Sequence, residues 1–161
     1  MMETLANPGQ TREFMEPVIR ALQQALGDDL IALVLFGSRA RGDARPDSDW
    51  DLFLMAEELP GSPLRRSQFI SSLLPQEWRY RINVLAHTPE EWFRSVTPLA
   101  LDVALDGILL YDNSQNLFPT RLAALREQLA RLGLERRRIE GEWIWLWREE
   151  PQRHWVLEWA E

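Results

Sequence analysis

The residues best suited to chemistry lie between Gly37 and Asp51. Gly37-Ser38 is followed by ten residues and then by Asp49-Trp50-Asp51. A glycine lets the backbone approach a ligand closely. A serine beside it supplies a hydroxyl and an N–H, and a helix starting there would turn its free N–H groups toward an anion. Arg39 and Arg41 add positive charge. On a strand, Asp49 and Asp51 point to one face. Two such carboxylates repel unless a cation lies between them. Mg²⁺ favours this oxygen set, completed by substrate phosphates and water. An anion-binding turn facing a carboxylate pair therefore suggests a metal-bound nucleoside triphosphate, with Gly37, Ser38, Arg39, Arg41 and Ser48 as candidate nucleotide contacts. Taken singly, a Gly-Ser after a strand is usually a turn, and an Asp-x-Asp a solvated strand end.

These residues need elements to hold them. Leu30 to Phe36 is an unbroken apolar run, read as a buried strand. Arg39 to Ser48 reads as a polar loop and Asp49 to Met55 as a second strand, with Trp50 turned to the core. Arg81 to Ala86 and Ile108 to Tyr111 complete a set of about four strands. Helical spacing covers Thr11 to Leu26, with Pro17 near the start of its regular part. Further helices are expected over Leu64 to Leu74, Pro89 to Phe93, Pro98 to Leu105 and Leu117 to Leu132, the last stopped by Gly133. The tail holds Trp143, Trp145, Trp147, Trp155 and Trp159, five of the eight tryptophans. Its alternation predicts a β-hairpin pairing 143–147 with 155–159 around a loop at 149–153. A helix over Glu140 to Glu150 competes, with Gly141 against it. The expected fold is α/β (α+β): a small mixed sheet with helices mainly on one face. The expected division is a 1–112 domain and a 113–161 appendage made of the C-terminal helix and a Trp-rich hairpin.

Composition narrows the chemistry. The chain has 161 residues, no Cys, and 18 basic residues that are all Arg. Cysteine nucleophiles, zinc-thiolate sites, a P-loop lysine and a Schiff-base lysine are excluded. Phosphate contacts from basic side chains must come from Arg. The net charge of −7 argues against general nucleic-acid binding. No apolar stretch has the length of a membrane span and Met1 to Gln10 is not a signal peptide, so a cytoplasmic location is expected.

The segment Gly37-Ser38-Arg39-Ala40-Arg41-Gly42-Asp43-Ala44, with Ser48-Asp49-Trp50-Asp51, resembles the signature of the minimal nucleotidyltransferases in the DNA polymerase β-like superfamily. The resemblance runs from about Leu22 to Asp112 and includes the last strand, Gly107 to Asp112. It implies that Asp49 and Asp51 are catalytic and bind one or two Mg²⁺, and that Ser38 contacts the outer phosphates. An acceptor hydroxyl would attack the α-phosphate, most simply of ATP, and pyrophosphate would leave. It also implies a protein or small-molecule acceptor. Similar proteins serve as antitoxins that adenylylate a helical toxin encoded beside them. A third carboxylate is expected on the third strand, where this chain has Asn83. An amide is a weak, uncharged metal ligand and no base. Three outcomes follow: Glu77 substitutes, one metal serves a slow reaction, or the domain binds nucleotide or a partner without chemistry. An aminoglycoside-modifying enzyme would need a larger acceptor domain and a catalytic Glu motif, which is not found.

Other residues have plainer explanations. His87 reads as structural, His154 has no visible partner, and Arg45 and Arg136-Arg137-Arg138 read as solvated. Arg41 is expected to pair with Asp47 or Asp49 if it does not reach phosphate. The tail tryptophans are expected to form a small core or a surface for a protein partner or homodimer.

Overall fold

The computed structural model describes residues 7–151 and 153–161. Four strands form a sheet in the order β3-β2-β1-β4. They are β1 (Leu30–Phe36), β2 (Trp50–Ala56), β3 (Ile82–His87) and β4 (Ile108–Asp112). β1 pairs antiparallel with β2 and β4, and β2 pairs parallel with β3. β1 and β2 are central and almost wholly buried, which is why both read as apolar runs.

Helices cover both faces of the sheet, not mainly one. On one face α1 (Pro8–Leu26) and α3 (Pro63–Leu73) bury Met15, Val18, Leu22 and Ile70 against Leu33, Leu35, Leu52 and Leu54. On the other, α4 (Pro89–Phe93), α5 (Pro98–Asp106) and α6 (Leu117–Leu132) bury Trp92, Ala100, Val103, Phe118 and Leu125 against Ala32, Val34, Phe53 and Met55. The alternation of one strand thus feeds two cores. α1 starts earlier than expected, with Pro8 in its first turn after the Asn7 cap, and carries Pro17 inside. Helix-start chemistry at Asn7-Pro8 outweighs the interior proline. Among the described residues no helix is long and apolar enough to cross a membrane.

The hairpin is not the expected one. β5 (Leu134–Ile139) pairs antiparallel with β6 (Glu142–Trp147), and 155–159 forms no strand. Positive φ at Glu140 (51°) and Gly141 (88°) makes the two-residue turn that suits a twisted hairpin. Arg136 and Arg138 are therefore strand residues opposite Trp145 and Trp143; the Arg136 side chain is buried, while Arg137 and Arg138 stay exposed as expected. Trp145, Leu157 and Trp159 pack onto the second core. The Trp159 indole donates to the carbonyls of Trp92 (3.1 Å) and Ser95 (3.2 Å). Trp145 and Trp159 thus serve this chain's own packing, while Trp143, Ile144, Trp155 and Val156 are among the exposed apolar residues of the tail.

Candidate active site at the end of the central strands

β1 ends at Phe36, directly opposite Asp51 on β2, and Asp51 in turn lies beside Asn83 on β3. The chain then enters a short helix, α2 (Gly37–Arg41), where a loop was expected. The helix ends at Gly42, whose φ of 82° suits a left-handed cap. The Gly42 and Asp43 N–H groups both donate to the Ser38 carbonyl, at 3.0 and 3.1 Å.

Gly37 is required twice over. Its φ is +74°, and a Cβ there would lie 2.6 Å from Asp51 Oδ2. The carboxylate occupies the space that a side chain would fill, so the turn and Asp51 form one unit. Asp51 is half-buried, and burial raises its pKa above the usual carboxylate value; the hydrogen bond from Asn83 lowers it, Asp49 raises it further and Arg41 opposes that. Asp49 precedes β2 and is exposed, whereas Trp50 turns into the opposite core as expected.

Asn83 donates from Nδ2 to Asp51 Oδ1 at 3.3 Å. The amide thus occupies the place of the expected third acid and satisfies Asp51. Glu77 is exposed in a 3-10 turn whose Trp78 packs into the α1 core. Among the described residues no group of three or more His, Cys, Asp or Glu could hold a metal by itself. Asp49, Asp51 and Asn83 are the residues that would offer oxygens to a hard cation, whose remaining ligands would be substrate and water.

The candidate nucleotide contacts separate into groups. Ser38 is partly exposed at the start of α2, beside Gly37. Arg39 instead closes the loop: it donates to the Ser48 carbonyl at 2.7 and 3.2 Å and to that of Pro46 at 3.3 Å, and lies over the Trp50 ring. Ser48 Oγ accepts from the Arg45 N–H at 2.8 Å, so this side chain builds a turn. Arg41 pairs with Asp43 (3.3 Å) and Asp106 (3.5 Å), not with Asp47 or Asp49. Asp106 and Asp43 were not singled out in the sequence, since nothing local shows that α5 and the hairpin converge there.

A groove of about 530 Å³ runs from Asn83 along β3 to His87 and is walled by Arg66, Ile70 and Glu91. Arg66 grips Glu91 through two bonds, at 2.8 and 3.0 Å, and caps the Ala86 carbonyl at 2.9 Å. That hydrogen bond pulls the Glu91 pKa down to about 2. His87 stacks on Phe53 and meets Trp92 edge-on; burial lowers its pKa, consistent with a neutral structural residue.

The family model described as polymerase beta, nucleotidyltransferase matches residues 16–116. A relative from Methanocaldococcus jannaschii, "Putative protein adenylyltransferase MJ1305", is 29% identical over 122 residues, covering 73% of this chain and 82% of the relative. Among solved structures, a toxin-antitoxin complex with AMP-PNP overlays with a TM-score of 0.49 at 21% identity, covering 70% of this chain and 86% of the other. A tri-AMPylated Shewanella oneidensis HEPN toxin in complex with MNT antitoxin overlays at 0.47 and 16% identity, covering 78% and 91%.

Proposed function

This chain belongs to the polymerase beta nucleotidyltransferase family, and we propose that it transfers AMP from ATP to a hydroxyl of a protein acceptor, with Mg²⁺ held at Asp49 and Asp51. The observation that carries the proposal is the fit of the Asp51 carboxylate into the space left by Gly37, which puts the acid against the turn that would receive the phosphates. A protein as acceptor is favoured by the M. jannaschii relative, whose name describes that activity.

Each residue has a definable part. Gly37 allows the close approach of turn and acid. Ser38 offers its hydroxyl and N–H to the outer phosphates. Asp51, half-buried and raised in pKa by burial and by Asp49, gains most from a bound cation. Mg²⁺ at this pair would neutralise phosphate charge and favour ionisation of the acceptor hydroxyl. Arg39 acts indirectly, by fixing the loop that delivers Asp49. In the reaction the hydroxyl oxygen bonds to the α-phosphorus, the bond to the pyrophosphate oxygen breaks, and the hydroxyl proton passes to solvent or base.

A second reading is favoured by one observation. Asn83 ties up Asp51 Oδ1 in a hydrogen bond from an uncharged amide, where an acid would complete the cation site. On that reading the domain binds nucleotide or a partner and does not turn over. Incubation with α-labelled ATP, Mg²⁺ and the product of the neighbouring reading frame separates the two. Label on the acceptor with wild type supports transfer, whereas ATP binding without label in wild type supports the silent module, and label gained in Asn83→Asp traces the silence to this amide.

A further inference from the structure

The C-terminal hairpin is joined to the Gly37-Ser38 turn by a continuous polar chain. Arg136, only 8% exposed, bonds Asp102 at 2.6 Å and Asp106 at 2.5 Å on α5. Asp106 also takes Arg41, and Arg41 takes Asp43. The Trp143 indole N–H donates to Asp43 Oδ2 at 3.3 Å. Its ring lies between cations, with the guanidinium carbons of Arg136, Arg41 and Arg138 at 4.8, 5.5 and 6.0 Å. Asp43 in turn donates its own N–H to the Ser38 carbonyl at 3.1 Å.

A tether alone would not need these groups. Trp145, Leu157 and Trp159 already fasten the tail to the second core. Taking charges out of water is costly unless each is paired, and a hydrogen-bonded polar network fixes one geometry where apolar packing tolerates several. This network ends on the two residues that flank Gly42, at the exit of α2. Because α2 is a single short helix, whatever holds Arg41 and Asp43 also sets the position of Ser38.

We propose that Trp143 is a positioning residue of the nucleotide site, acting through Asp43 on Ser38, so that the hairpin is a working part of the site. This rests on the nucleotidyl-transfer reading above.

The test compares MgATP affinity, and KM against kcat where transfer is seen, in full-length wild type, Trp143→Phe, Trp143→Ala, Asp43→Asn and Trp147→Ala. Trp143→Phe keeps the ring and loses only the N–H. Trp147 packs against Trp155 on the hairpin at 4.9 Å and is not part of the polar chain. Trp143→Phe is expected to weaken MgATP binding about fivefold, the order of one typical net hydrogen bond. It should add nothing on the Asp43→Asn background, while Trp147→Ala lowers Tm and leaves affinity unchanged. If Trp143→Ala fails to fold, Trp143→Phe and Asp43→Asn carry the comparison. Wild-type affinity in Trp143→Phe, or equal weakening in Trp147→Ala, overturns the proposal and leaves the transferase reading intact. Absence of MgATP binding by wild type overturns both.

Discussion

The Asn83 amide donates a hydrogen bond to the Asp51 carboxylate, Nδ2 to Oδ1 at 3.3 Å, between directly paired positions on adjacent parallel strands. In the metal-free protein this contact stabilises the ionised acid. It also removes one negative charge from the place where a cation would sit. Asn83→Asp should therefore act in opposite directions on stability and on transfer. Without metal, a second carboxylate facing Asp51 replaces a hydrogen bond by repulsion, and a loss of about 1–2 kcal/mol is expected in chemical denaturation. With Mg²⁺ the variant should bind the cation more tightly and transfer AMP faster than wild type.

Asp51→Asn should stabilise the metal-free protein at neutral pH while abolishing transfer. Burial and the neighbouring Asp49 raise the Asp51 pKa above its ordinary 3.8. An acid with a raised folded pKa costs stability wherever it is ionised in the native state, and that cost vanishes once pH falls below the unfolded value. The Tm advantage of the variant should be present at neutral pH and disappear below about 3.8.

Gly37→Ala should damage both fold and site. The new Cβ would lie 2.6 Å from Asp51 Oδ2, in a backbone conformation with φ of +74°. A destabilisation of about 1–3 kcal/mol is expected from the strain, together with loss of MgATP binding, read by calorimetry. Gly61, where an added Cβ would meet nothing within 4 Å, is the matched control.

Arg66→Ala should destabilise by about 2–3 kcal/mol, because it strips a carboxylate and two carbonyls of their donor. The Glu91 pKa is depressed to about 2 from 4.5, chiefly by the Arg66 hydrogen bond. The stabilisation from that pair is present above about 4.5 and is lost as pH falls toward 2. The stability gap between wild type and variant, followed by urea unfolding across that window, should narrow with acid.

Much of the sheet was legible because β1 and β2 are buried on both faces and carry uninterrupted apolar runs. The candidate site was legible because Gly37, Ser38, Asp49 and Asp51 are close in sequence, on one strand–turn–strand unit. What escaped depends on pairing across distance. Apolar alternation, the usual strand signal, points 143–147 to the tryptophans of 155–159. The true partner is an arginine strand, whose Arg136 and Arg138 are held by Asp102, Asp106 and the face of Trp143. Glu140-Gly141 was the local clue, a two-residue turn between two alternating runs. Likewise Arg39 and Ser48 sit in the signature yet serve the loop, and only the fold shows which carbonyls and N–H groups they reach.

The most direct test is AMP transfer from α-labelled ATP with Mg²⁺, in wild type and Asp51→Asn, against the product of the neighbouring reading frame. Label on a hydroxyl of the acceptor in wild type, falling to background in Asp51→Asn, is the predicted result. Label that persists in Asp51→Asn, or its absence with wild type and Asn83→Asp alike, would contradict the account.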